Sequence, residues 1–136
     1  VDFGPRFLSS PGWEKCSFYL ENKLKTYTKN VFVQEAPTKT YDNKKHTLKN
    51  IIASFSPEKN NRIALMAHWD TRHIADYDTI NQDKPILGAN DGGSGVAVLL
   101  ELARAFHLQK PNIGIDLILF VVAISILKLL IASSKL

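Results

Sequence analysis

The stretch "RIALMAHWDTR", residues 62–72, decides how this chain is read. Its first eight residues, 62–69, are mostly apolar and of strand length, the pattern of an inner strand covered on both faces by helices. The run passes through His68 and ends against Asp70. Side chains two apart on an extended chain point the same way. Both would project from the carboxyl end of a sheet strand, where open α/β folds bind ligands. Two readings stand side by side: a surface loop after a core strand, or half of a metal site in which His68 binds the ion and Asp70 orients its ring.

Downstream, residues 70–93 form a polar loop with no periodicity, and a loop of that length in a compact domain is usually functional. It closes on "PILGANDGG" (85–93), where glycines let the backbone turn sharply and approach a bound group. Asp91 stands between Asn90 and Gly92, just ahead of a helix predicted over 94–110 with Ser94 as its cap. That helix is apolar nearly all round, which predicts burial. A turn at 111–114 leads to a second buried strand, "IDLILFVVAI" (115–124). Taken alone, the loop is either a turn before a helix or a device that aims one carboxylate at the strand end.

Upstream, residues 9–28 predict an amphipathic helix, with Ser10 as N-cap and Pro11 at the first position. Trp13, Cys16, Leu20, Leu24 and Tyr27 form its apolar stripe. The runs 30–38 and 47–56 alternate, are rich in β-branched residues and flank the polar turn "YDNKKH", which predicts a hairpin. Helix, hairpin, strand, helix, strand is the order of an α/β domain, expected as a three-layer sandwich around a mixed sheet.

The chain has 136 residues, enough for one core. With 45% hydrophobic and 22% charged residues its composition is that of an ordinary globular protein. The net charge of +4 is spread, and the basic tip "DNKKH" lacks the interleaved aromatics of a nucleic-acid groove. The single cysteine, Cys16, rules out an internal disulfide and reads as a small core residue. His46 reads as a solvated hairpin residue, His73 and His107 as loop and helix-end residues. "GGSGV" is not a nucleophile elbow, since Val96 stands where the last glycine belongs. There is no phosphate-binding loop and no His-Glu-x-x-His. The sequence opens on Val1 with no charged-then-apolar leader, as a processed or partial chain would.

The order of "VDFGPR" (1–6), "NIIASF" (50–55), "AHWDTR" (67–72), "PILGANDGGSGVAVLLELAR" (85–104) and "IDLILF" (115–120) resembles the glutaminyl-peptide cyclotransferases, which share a superfamily with the zinc-dependent exo-aminopeptidases. "VDFGPR" and "HWDTR" are more similar to the bacterial cyclases than to the peptidases. The resemblance implies a zinc exopeptidase-like α/β sandwich, of which residues 1–120 form the N-terminal part. It implies conversion of an N-terminal glutamine to pyroglutamate with release of ammonia, on a peptide or protein substrate. It implies zinc, with Asp91 as a ligand. In single-zinc cyclases the histidine matching His68 lies near the metal. In two-zinc aminopeptidases, the alternative reading, it binds the second ion and the aspartate bridges both. Asp70 becomes the catalytic-site carboxylate that holds His68, and Trp69, Arg72 and Tyr77 the residues of the substrate pocket. An exported location, periplasmic or extracellular, follows from the same resemblance.

The family pattern stops after Phe120. Relatives there carry an acidic pair, a proton shuttle and a metal ligand, and further on a last histidine ligand. Here "VVAISILKLLIASSKL" (121–136) has no acidic side chain and no histidine. Three readings compete: a frame slip after Phe120, a membrane-associated segment, or a short non-catalytic relative. The apolar run 117–132 is interrupted by Ser125 and Lys128 and is marginal against the roughly 20 residues a span needs. The expectation is an aberrant tail, a missing C-terminal half and an inactive chain.

Overall fold

The computed structural model describes residues 2–40 and 43–122. Helix α1 spans Pro11–Lys25. The Ser10 hydroxyl accepts a hydrogen bond from the Trp13 amide at 3.1 Å and donates to the Pro5 carbonyl at 3.0 Å. The predicted cap therefore also anchors the N-terminal segment. Strands β1 (Val31–Lys39) and β2 (Lys45–Phe55) form the hairpin, followed by β3 (Arg62–His68), α2 (Gly93–Leu108) and β4 (Gly114–Phe120). The sheet order is β1-β2-β4-β3. β1 with β2 and β2 with β4 run antiparallel, while β3 and β4 are parallel. Parallel neighbours need a crossover, and α2 supplies it.

Both helices lie on one face of the sheet. Trp13, Cys16, Leu20 and Leu24 of α1 and Val96, Leu99 and Ala103 of α2 join Ile51, Ala53, Phe55, Ile115, Leu117 and Leu119 in one buried cluster. Phe55 and Phe106 meet edge to face with centroids 5.5 Å apart. The other face carries Phe32 and Met66, exposed among the described residues. There Arg62 reaches across to Asp116, 2.6 and 3.0 Å away, while Ser54 donates to the same carboxylate. Burial pushes the Asp116 carboxyl up, but the hydrogen bonds from Arg62 and Ser54 outweigh it and leave it below its ordinary value.

The α/β class and the mixed sheet are as expected; of the three layers, the described residues form two. β3 is not enclosed on both faces. Its one described neighbour is β4, and Ile63 and Met66 are exposed. Nor is α2 buried all round: a single face meets the sheet, which leaves Val98 and Leu108 exposed. Gly92, not Ser94, takes the cap position, and the Ser94 hydroxyl donates back to the Asn90 carbonyl at 2.6 Å. β4 ends at Phe120 because the next two amides leave the ladder for side chains, Val121 to Asn50 Oδ1 and Val122 to Asp70 Oδ1. Of the apolar run 117–132 read as a membrane-associated segment, residues 117–120 belong to β4 of the sheet; residues 123–136, most of that run and of the tail, lie outside the described residues. No helix among the described residues is long and apolar enough to cross a membrane.

Candidate functional site

β3 stops one residue short of a junction that sorts three consecutive side chains. The Trp69 amide still donates to Phe120 O at 3.0 Å, so the extended path continues past His68. Alternation then turns Trp69 into the core, where its indole is 1% exposed, stacks on Trp13 at 5.2 Å and donates to Lys49 O. His68 and Asp70 turn the other way. Asp70 is buried, and its Oδ1 accepts the Val122 amide at 3.0 Å. Burial pushes its carboxyl above the usual range, a rise held back by the Val122 amide and the nearby imidazole. His68 Nδ1 lies 3.5 Å from Asp70 Oδ1, buried and without a hydrogen bond.

The glycine loop brings the second carboxylate. Gly88 has φ +60°, a conformation that favours glycine, and a side chain there would strike Thr71 and the Asp91 carbonyl. At Gly92 a Cβ would come within 2.7 Å of His68 Cε1 and Nε2 and collide with the His68 carbonyl. Only glycine lets the loop lie against the strand end. The result places Asp91 Oδ1 2.7 Å from His68 Nε2. An imidazole nitrogen and a carboxylate oxygen that close need something positive between them, a proton or a cation.

These three residues line a cavity of about 580 Å³. Arg72 lines it as well, ion-paired to Asp76 at 2.5 Å. Tyr77, 85% exposed, stands under the Arg72 guanidinium and does not line the cavity. Trp69 does not line it either. Of the expected pocket residues the fold brings Arg72 to His68, Asp70 and Asp91, sends Trp69 into the core and leaves Tyr77 on the outer surface. Reading along the sequence misses the opposite wall, formed by Phe7 and Leu8 of the N-terminal segment and by His46 at the hairpin end. His46 is half-buried, with Nδ1 2.8 Å from Ser9 Oγ. No periodicity in the sequence signals that wall.

A catalytic zinc takes three protein ligands, with N and O donors at about 2.0–2.2 Å. Two such donors around a tetrahedral ion stand about 3.3 Å apart. The 2.7 Å between His68 Nε2 and Asp91 Oδ1 is a proton-sharing distance instead. Among the described residues no group of three His, Cys, Asp or Glu could hold a metal. The described residues therefore do not complete a zinc site by themselves.

A mixed α/β sheet with a histidine and two carboxylates gathered where a parallel strand ends has the fold of the glutaminyl cyclases and zinc exopeptidases. Peptidase family M28 matches over residues 50–122, and the chain belongs to that family. It is similar to Tannerella forsythia glutaminyl cyclase, with 45% identity and a TM-score of 0.85, over 88% of this chain and 42% of that one. A Zn-dependent exopeptidase from Parabacteroides distasonis gives 43% identity and a TM-score of 0.84, again over 88% and 42%. Bos taurus glutaminyl-peptide cyclotransferase is 30% identical over 81 residues, 52% of this chain and 21% of that protein. The chain thus spans less than half the length of each of these relatives.

Proposed function

We propose that the chain is the N-terminal part of a zinc-dependent glutaminyl-peptide cyclotransferase. The observation that supports this is the 45% identity with the Tannerella cyclase over 88% of this chain, beside a family match over 50–122, the stretch that carries His68, Asp70 and Asp91. In the reaction the α-amine of an N-terminal glutamine attacks its own side-chain amide carbonyl. A ring C–N bond forms, the bond to the amide nitrogen breaks, and the proton lost by the amine leaves with ammonia. The chain's share is structural and electrostatic. The cavity holds the N-terminal residue, and Asp91 offers an exposed carboxylate at its edge. His68 shapes the wall beside Asp91, and Asp70 fixes the strand end through Val122. Asp91 is the residue of this chain assigned to zinc in the cyclase reading, and His68 joins it as a ligand in the two-zinc reading.

The substrate proposed is a peptide or protein with N-terminal glutamine, met outside the cytoplasm; nucleic acid is not a partner, and membrane contact by the tail is not favoured. The second reading is a two-zinc aminopeptidase, favoured by the Parabacteroides exopeptidase at nearly the same identity. The third, a non-catalytic membrane-associated fragment, is based on the run 117–132, of which 117–120 lie in β4 and 123–132 are outside the described residues.

The test joins this chain after β4 to the C-terminal part of the Tannerella cyclase. A glutamine-initiated dipeptide then distinguishes the readings. Ammonia and a pyroglutamyl product support the cyclase; free amino acids support the peptidase. The 136 residues alone should release no ammonia, because 121–136 supplies neither acidic side chain nor histidine.

A further inference from the structure

We propose that Arg6 is a positioning residue of the site: its guanidinium clamps the end of β3 to the glycine loop and so sets the approach of Asp91 to His68. Arg6 is 4% exposed, and among the described residues no carboxylate pairs with it. All its side-chain hydrogen bonds go to backbone carbonyls instead. Nε donates to Trp69 O at 2.9 Å, Nη1 to Leu87 O at 2.8 Å and Nη2 to Gly88 O at 2.8 Å. The backbone closes the clamp. The Arg6 amide donates to Thr71 Oγ1 at 2.8 Å, and the Thr71 amide returns a bond to Arg6 O at 3.1 Å.

A buried cation without a counter-charge is costly, and a role in packing alone is filled more cheaply by an apolar side chain. What arginine adds is a rigid planar fork with donors in fixed directions. Here the fork spans the two segments that carry the site. Trp69 O sits between His68 and Asp70. Gly88 O also accepts the Gly93 amide at 3.1 Å, the bond that closes the turn holding Asp91. Arg6 therefore binds one peptide from His68 and one turn from Asp91 while hydrogen-bonding to neither side chain. The motif "VDFGPR" acquires a physical purpose: it delivers this fork under the loop.

The inference rests on the pairing of His68 with Asp91 and needs no bound metal. Its test is the nitrogen spectrum of ¹⁵N-histidine-labelled protein, full chain, at neutral pH. In the parent, His68 Nε2 should carry a shift displaced by the Asp91 carboxylate oxygen that lies 2.7 Å from it. Arg6→Lys keeps the charge and loses the fork, and it should abolish that signature, as Asp91→Asn does. Leu20→Ala opens the core at a buried residue that does not line the cavity; it should lower the denaturation midpoint and keep the signature. A folded Arg6→Lys protein with the parent signature overturns the proposal. So does its loss in Leu20→Ala, which would make it a mere reporter of stability. Should Arg6→Lys fail to fold, Thr71→Val decides, since it removes only the acceptor of the Arg6 amide: a partial loss supports the clamp and an unchanged spectrum overturns it. An Asp91→Asn protein that leaves His68 unmoved overturns the pairing itself, and the clamp with it.

Discussion

Asp70 and Asp91 stand on either side of one imidazole and occupy opposite physical settings. The Asp70 side chain is 8% exposed, fixed by a backbone amide at the end of a parallel strand. The Asp91 side chain is 75% exposed, carried on a loop whose glycines press it against His68. The strand end supplies a carboxylate that cannot move and whose burial opposes its charge. The loop supplies one that water, metal or substrate can reach. Under the proposed function this difference would divide labour: the buried acid would fix the strand end beside the histidine, and the exposed one would meet the chemistry.

The largest effect should come from removing the loop's closeness. Gly92→Ala forces a Cβ into the His68 ring. In the joined protein it should lower kcat/KM by a hundredfold or more, since misplacing a group by about 1 Å costs roughly that much. A parent-like rate would show that the loop is not held against the strand.

The two alanine variants should then separate on stability. Asp70→Ala strands the Val122 amide without its acceptor and should cost about 1–3 kcal/mol in denaturant unfolding. Asp91→Ala removes an exposed side chain and should stay within about 0.5 kcal/mol of the parent. The reverse order would break the comparison.

A smaller effect sharpens it. Burial raises the Asp70 carboxyl above its ordinary value, so the folded chain binds that proton more tightly than the unfolded one. The resulting contribution to stability is fully present below the unfolded value near 3.9 and is lost as pH rises through the folded value. Asp70→Asn can keep the Val122 bond and has no such proton. Its stability relative to the parent should therefore increase as pH is raised from about 4 toward neutrality. A difference that does not change with pH contradicts the burial account.

Much of this was legible along the chain. Ser10, Pro11 and the stripe from Trp13 to Leu24 announce α1, because capping and a 3.6-residue period are local signals. The strand that delivers His68 and Asp70 announces itself by its apolar run. Trp69 misleads: sitting between two site residues it looks like part of the pocket, yet strict alternation sends it to the opposite face. α2 misleads too, because an apolar composition records what a helix could bury, not what covers it. The loop's glycines leave the meeting of Asp91 with the strand end as one of two readings, and only resemblance to a family favours it. Arg6 was invisible as a functional residue because its carbonyl partners lie far along the sequence, and such pairings leave no periodic trace.

Under the proposed function Asp91 is the metal ligand of this chain, and His68 and Asp70 shape its surroundings. Zinc per chain after dialysis, measured on the joined protein and its variants, tests it most directly. The cyclase reading predicts one zinc in the parent, none held tightly in Asp91→Ala and one retained in His68→Ala. Two zincs falling to one in His68→Ala would assign the protein to the aminopeptidases. An Asp91→Ala protein that keeps its full zinc content would contradict the account.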